Sequence, residues 1–138
     1  MTTNVRALWL RLQAILAEYS DKFSAADPSL ILDIGCTEND VFLLRAYLAV
    51  KKNADGDELA ITVDIQSDDH NFTIKSDACA DDGRVFATGP FASIPLSEEL
   101  LNLETEFDSW IRKFERFLLE NEKMLLNAAS ELSSTIAP

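Results

Sequence analysis

The feature that most constrains this chain is a stretch of 36 residues near its C-terminus, Ser97 to Leu132, without glycine or proline. Nine positions recur in it at alternating spacings of three and four, which places them on one face of an α-helix. These positions are Leu100, Leu103, Phe107, Trp110, Phe114, Phe117, Asn121, Met124 and Ala128. The spacing therefore predicts one long helix over 97–132, with Ser97 as its N-cap.

This helix is long for so small a protein. At a rise of 1.5 Å per residue it would extend over roughly 54 Å, whereas a compact chain of this size is about 37 Å across. We therefore expect the helix to bend or break near Asn102 or Asn121, or to bury its far end against a second copy. A third alternative is that it packs wholly on the sheet of its own chain. The second alternative predicts a homodimer interface formed by Phe117, Leu118, Asn121, Met124, Leu125, Ala128 and Leu132.

The middle of the chain, residues 30–89, has the pattern of antiparallel β-strands. The clearest strand is Leu59 to Gln66, in which apolar and polar residues alternate, as in a strand with one buried face. Asp55-Gly56 and Asp82-Gly83 are turn signals, and Gly89-Pro90 is expected to end the last strand.

The stretch from Val41 to Lys52 fits either a helix or a strand. Acidic residues at its start and lysines at its end suit a helix dipole. As a strand, it would form a hairpin with Leu59–Gln66 and would bring Arg45 close to Asp64 across the pair. We prefer the strand.

These elements predict a single α+β domain over residues 1–138. It would consist of an N-terminal helix (1–23), a four- or five-stranded antiparallel β-meander (30–89) and a long C-terminal helix (97–132), followed by a frayed tail (133–138). Both helices would pack on one face of the sheet, since each has a single apolar stripe to bury.

The charge of the chain restricts its partners. There are 24 acidic and 12 basic residues, so the formal net charge is −12. Nucleic acids and anionic membrane surfaces would repel such a protein. The N-terminal segment carries Arg6, Arg11 and Glu18 among its apolar residues, which does not fit a secretory signal and predicts a cytoplasmic protein. In that compartment Cys36 and Cys79 would remain reduced thiols.

The acidic residues are concentrated in the middle of the chain. Twelve acidic residues and four basic ones lie between Asp33 and Asp82. Most of these acidic residues fall in predicted loops, where they would attract a basic protein partner. The predicted contact residues are Glu38, Asp40, Asp55, Asp57, Glu58, Asp68, Asp69, Asp81 and Asp82. The alternative is that this charge only keeps the protein soluble.

No pattern in the sequence indicates a reaction. The aspartate clusters are out of register for a calcium loop, and Cys36, Cys79 and the single histidine, His70, lack zinc-ligand spacing. We therefore predict a non-enzymatic protein with no catalytic residue, metal or cofactor. A second hypothesis is a small-molecule pocket between the sheet and the C-terminal helix, lined by Tyr47, Phe107, Trp110 and Phe114.

No motif in the sequence identifies a family. Small size, strong acidity and a helix–meander–helix plan suit the type of bacterial binding protein to which secretion chaperones and toxin-neutralising immunity proteins belong. The concentrated acidic charge and the long helix predict a non-enzymatic protein-interaction module. Its acidic surface would dock a basic protein partner, and its C-terminal helix would hold a homodimer.

Overall fold

The computed structural model describes residues 3–38, 43–67, 70–80, 84–95 and 100–132. Along the chain, one helix precedes and a second helix follows a five-stranded sheet, whose strands are arranged in sequence order. The elements are α1 (Thr3–Ala26), β1 (Ile31–Thr37), β2 (Leu44–Lys51), β3 (Glu58–Ser67), β4 (Asn71–Ala80), β5 (Val85–Pro95) and α2 (Leu100–Ser130). The predicted α+β fold, a helix followed by an antiparallel meander and a long helix, is confirmed.

The sheet is a simple meander in which each strand pairs antiparallel with the next, so β1 and β5 are its edges. The segment that fitted either a helix or a strand forms β2, and the preferred prediction is confirmed. Arg45 lies opposite Asp64 in the β2–β3 register, as the hairpin prediction required.

Alternation of side chains gives the sheet two different faces. One face is buried under both helices in a single apolar core, as predicted. Its buried side chains on the three central strands are Leu44, Ala46, Leu48, Val50, Leu59, Ile61, Val63, Ile65, Phe72, Ile74, Ser76, Ala78 and Ala80. We call the other face, which neither helix covers, the open face.

Helix α1 continues to Ala26, three residues beyond the predicted boundary at residue 23. It ends there because Pro28 disfavours the helical conformation at Asp27. The carboxylate of Asp27 accepts hydrogen bonds from the backbone N–H of Ser29 (3.1 Å) and from its hydroxyl (2.6 Å). These bonds stabilise the ionised form and lower the pKa of Asp27.

Helix α2 is continuous over 31 residues, so the predicted break at Asn102 or Asn121 does not occur. The Asn121 side-chain amide donates to the carbonyl of Phe117, 2.8 Å away in the same helix, and this bond is compatible with an unbroken helix. Buried side chains extend from Phe107 to Ala129, which is about 33 Å of helix. The chain therefore covers its own long helix by packing α2 against β5 and α1. The predicted N-cap, Ser97, and the tail 133–138 lie outside the described residues.

The two helices run parallel to each other. Arg11 of α1 forms an ion pair with Asp108 of α2, and Lys22 donates to Glu122 at 2.6 Å further along both helices. Both pairs remain accessible to water and add little stability. Their order along α1 and α2 shows that the two helices run in the same direction. Neither helix, over the residues that the structure describes, is long and apolar enough to cross a membrane.

Strand β5 continues to Pro95. The prediction that the last strand ends at Gly89-Pro90 is therefore wrong. Proline is tolerated because β5 is an edge strand. The Pro90 carbonyl accepts hydrogen bonds from the Ser76 hydroxyl and from Trp110 Nε1, both at 3.1 Å. This carbonyl thereby joins β4, β5 and α2. The β4–β5 register shifts twice, between Lys75 and Asp77 and again between Ala78 and Cys79.

Candidate docking surfaces

The described members of the predicted acidic contact set lie at both ends of the sheet. Glu38 follows β1 at one end. Asp55 and Asp57, between β2 and β3, and Glu58, the first residue of β3, lie at the opposite end. The length of β1 alone separates the two groups by about 20 Å. The remaining members of the predicted set, Asp40, Asp68, Asp69, Asp81 and Asp82, lie outside the described residues.

Residues 53–58, which comprise most of the connection between β2 and β3 and the first residue of β3, form a hydrogen-bonded turn that we call the acidic turn. The side-chain oxygen of Asn53 accepts a hydrogen bond from the Asp55 N–H at 3.0 Å, and its carbonyl accepts one from the Gly56 N–H at 3.2 Å. Asp55 and Asp57 are exposed at the tip. Asn is suited to this position because its side chain can hydrogen-bond the backbone two residues ahead. The turn therefore holds two carboxylates at the end of a hydrogen-bonded hairpin.

A bidentate ion pair occupies the middle of the open face. Arg45 Nε donates to Asp64 Oδ1 at 2.6 Å, and Arg45 Nη2 donates to Asp64 Oδ2 at 3.0 Å. The hydrogen bond to Asp64 raises the pKa of Arg45. Because Asp64 already holds this guanidinium, the pair adds no net charge to the face.

Asp77 and Cys79 lie beside this pair on β4. Burial raises the pKa of Asp77, and the nearby charge of Asp64 raises it further, whereas Lys75 acts in the opposite direction. Burial likewise raises the pKa of the Cys79 thiol, with a further contribution from Asp77. A thiol that stays protonated is a poor nucleophile, so this part of the open face does not resemble a cysteine active site.

The residues considered for metal binding or thiol catalysis are far apart. Cys36 packs against the core on the helix side of β1, whereas Cys79 is on the open face. His70 and Cys79 lie toward opposite ends of β4, about 30 Å apart along the strand. Within the described ranges, no group of three or more His, Cys, Asp or Glu residues could hold a metal ion.

Tyr47 lies on the open face beside the edge strand β1. It is the register partner of Gly35, where an added Cβ would lie 2.5 Å from the Tyr47 hydroxyl oxygen. Glycine is therefore needed for the phenol ring to extend across β1. The charge of Asp33 is the main cause of the raised pKa of Tyr47, and burial of the phenol contributes to it.

The structure does not form the predicted aromatic pocket. Tyr47 lies on the open face, whereas Phe107, Trp110 and Phe114 are buried on the other side of the sheet, beneath α2. Trp110 and Phe114 stack with ring centroids 5.1 Å apart. The aromatic residues of α2 therefore belong to the core. The sheet separates them from Tyr47, with which they were predicted to line one pocket.

The predicted dimer residues divide into buried and accessible ones. Phe117, Leu118 and Leu125 are buried in the core of their own chain, and Asn121 is partly buried. Met124 is 36% exposed, and Ala128 and Leu132 are partly exposed. Three of the seven residues are therefore already covered.

Met124 and Ala128 line an open groove together with Phe86 of β5, and we call this the terminal groove. Its rim carries charges of both signs from Glu120, Lys123 and Glu131, and Asn127 also lines it. Sequence reasoning missed Phe86 because the short segment before Gly89 gave no indication that α2 passes beside it.

Comparisons with protein-family models, with curated proteins and with solved structures found no match to this chain.

Proposed function

We propose that this protein is a non-enzymatic, cytoplasmic interaction module that docks a basic protein partner, in the manner of a bacterial secretion chaperone or immunity protein. The observation that carries the proposal is the acidic turn, where Asp55 and Asp57 are exposed on a hydrogen-bonded hairpin. Cys36 and Cys79 lie on opposite faces of the sheet, and His70 lies about 30 Å along β4 from Cys79, an arrangement that supports a binding role over thiol catalysis.

Two lysines precede the acidic turn. Lys52 Nζ lies 3.8 Å from Asp27 Oδ2, outside the turn, and Lys51 is the register partner of Glu58. Asp55 and Asp57 are exposed at the tip of the turn. Fixed carboxylates of this kind, on a chain with a net charge of −12, would accelerate encounter with a cationic surface and orient it.

Reversing the charge of Asp55, Asp57 and Glu58 to lysine together is expected to raise the Kd for the partner by about 10- to 100-fold, since each exposed reversal removes one attraction and adds one repulsion. The partner is first identified by affinity capture and mass spectrometry. The Kd is then measured by calorimetry at about 50 to 300 mM salt, over which screening of exposed charges increases. The salt dependence of the triple variant should be flatter than that of the wild type.

A matched control changes the net charge equally at another place. Asp21, Glu106 and Glu115 are exposed on the helices, and their joint reversal to lysine should raise the Kd much less. Equal effects of the two triple variants would show that the partner senses only overall charge and would refute docking at the acidic turn. Circular dichroism of both variants checks that the fold is retained.

We further propose that the protein forms a homodimer through the terminal groove. The rim of this groove carries Lys123 as well as Glu120 and Glu131, so two copies related by a two-fold axis could pair opposite charges there. The acidic turn lacks this balance of charge. Met124, 36% exposed, would supply an adaptable apolar contact at the centre of the interface.

Replacement of Met124 by glutamate is expected to shift the protein from dimer to monomer, because it introduces a charge into the apolar centre of the groove. Light scattering at tens of micromolar should give about twice the chain mass of 15.4 kDa for the wild type and the chain mass for the variant. Leu119→Glu is the control, since Leu119 is 63% exposed on the same helix and does not line the groove. A monomeric wild type at that concentration would contradict the dimer.

A further inference from the structure

The two edges of the sheet differ in their capacity to accept another strand. Strand β5 contains Pro90 and Pro95, and its register with β4 shifts twice. Prolines and irregular register are devices that block edge-to-edge pairing. Strand β1, ILDIGCT, has no proline and no lysine, and its register with β2 is regular from Ile31 to Thr37. Only β1 is therefore built as an unprotected edge.

An edge strand presents unpaired backbone N–H and C=O groups at every second residue. An extended peptide can pair with them and become an additional strand of the sheet. The strand order gives β1 no neighbour other than β2 within the part of the chain that the structure describes. The backbone of β1 thus offers the hydrogen bonds for a sixth strand.

The side chains of β1 define what such a strand should carry. On the helix side, Leu32, Ile34 and Cys36 pack against the core but remain partly exposed, so they leave apolar surface at the edge. On the open face, Ile31 is 48% exposed and Asp33 is exposed. An added strand would meet apolar surface on one side and a carboxylate on the other.

We propose that the edge of β1 binds an extended segment of a basic protein, in which apolar residues alternate with lysine or arginine. The apolar residues would cover Leu32 and Ile34, and the basic ones would lie on the open face near Asp33. The inference rests on the proposed function, since it assigns to the basic partner a second and more specific site. Period-two alternation is required because successive side chains of a strand point to opposite faces.

Asp33 is suited to this role by its position. It is exposed on the open face of β1, two residues before Gly35, across which the Tyr47 ring extends from the neighbouring strand. Glu38, also exposed, follows the end of the strand. A second copy of this chain fits the edge less well, because antiparallel pairing of two β1 strands would bring an Asp33 from each copy to the same strand pair, where like charges are destabilising.

The test uses the full chain and a capped peptide of alternating lysine and valine, about seven residues long to match β1. Amide hydrogen exchange is followed by NMR with and without saturating peptide. The exchange of alternate β1 amides is expected to slow by about tenfold, because an added strand converts free edge N–H groups into hydrogen-bonded ones, whereas β5 amides are unaffected. Asp33→Lys should raise the Kd of the peptide about fivefold.

Two controls separate strand pairing from simple charge attraction. Glu115→Lys makes the same charge change on α2 and should leave the Kd within about twofold of the wild type. A second peptide carries N-methyl groups on the residues whose backbone N–H would point toward β1, and it keeps the same side chains and charge. It should bind at least tenfold more weakly, because it cannot donate hydrogen bonds to the edge strand.

Three results would overturn the inference. These are unchanged β1 exchange at saturating peptide, equal affinity of the N-methylated peptide, and slowing of β1 exchange with rising protein concentration alone, which would assign the edge to a second copy. The proposed function is tested separately by the triple reversal in the acidic turn. If that variant loses the native partner while the peptide leaves β1 exchange unchanged, the inference fails and the proposed function stands.

Discussion

Replacing Trp110 by alanine is expected to lower the free energy of unfolding by about 4 kcal/mol, the largest effect of any single change considered. Trp110 is 1% exposed and stacks on Phe114. Its removal would leave a cavity beneath α2 and take one of two hydrogen-bond donors from the Pro90 carbonyl. Chemical denaturation followed by far-UV circular dichroism measures the change.

The variant Trp110→Phe separates the hydrogen bond from the packing. It keeps most of the apolar volume but removes Nε1, and the Ser76 hydroxyl still donates to Pro90. We expect a loss of about 1 to 2 kcal/mol. Leu119→Ala, on an exposed position of the same helix, should change stability by less than about 0.5 kcal/mol. If Trp110→Ala were no more destabilising than Leu119→Ala, the arrangement of the core described above would be wrong.

Gly89→Ala is expected to lower the free energy of unfolding by about 2 to 3 kcal/mol, although it adds a single methyl group. The new Cβ would lie 2.2 Å from the Ser76 hydroxyl oxygen and 3.1 Å from the ring of Phe117. Ser76 cannot move away freely, because it is buried and donates to Pro90. The clash therefore strains the junction of β4, β5 and α2. Thermal and chemical unfolding of the single variant measure the loss.

A double-mutant cycle tests whether Ser76 is the obstacle. Ser76→Ala alone should cost about 1 kcal/mol for the lost hydrogen bond. Combined with Gly89→Ala, it removes the oxygen that the methyl group meets, so the double variant should be at least about 1 kcal/mol more stable than the sum of the single effects predicts. Strict additivity would contradict the proposed clash. Gly35→Ala provides a contrast, since the Tyr47 ring that it meets lies on the open face and can rotate toward solvent.

The sequence allowed the fold class to be predicted because its strongest signals are local. Alternating apolar residues specified β2 and β3, and the turn residues between them set a register in which Arg45 meets Asp64. The end of β5 was mispredicted because Gly89-Pro90 is a common strand terminator. At a sheet edge the missing proline N–H costs little, and that position is known only from the strand order.

The candidate surfaces were harder to predict because exposure depends on which elements pack together. The apolar stripe of α2 was identified, but the sequence does not reveal that α1 lies parallel to α2 and that the chain covers Phe117, Leu118 and Leu125 itself. Phe86 and Met124 come together only because α2 passes beside β5. The contrast between the β1 and β5 edges likewise required the strand order.

The prolines and register shifts of β5 have a consequence for larger assemblies. A sheet in which both edge strands can pair with another strand can grow from copy to copy without limit, as in fibres. In this protein the prolines and register shifts prevent β5 from pairing, so another copy cannot attach through its β5 to a strand added at β1. Growth of this chain from the β1 edge of one copy to the β5 edge of the next is therefore blocked.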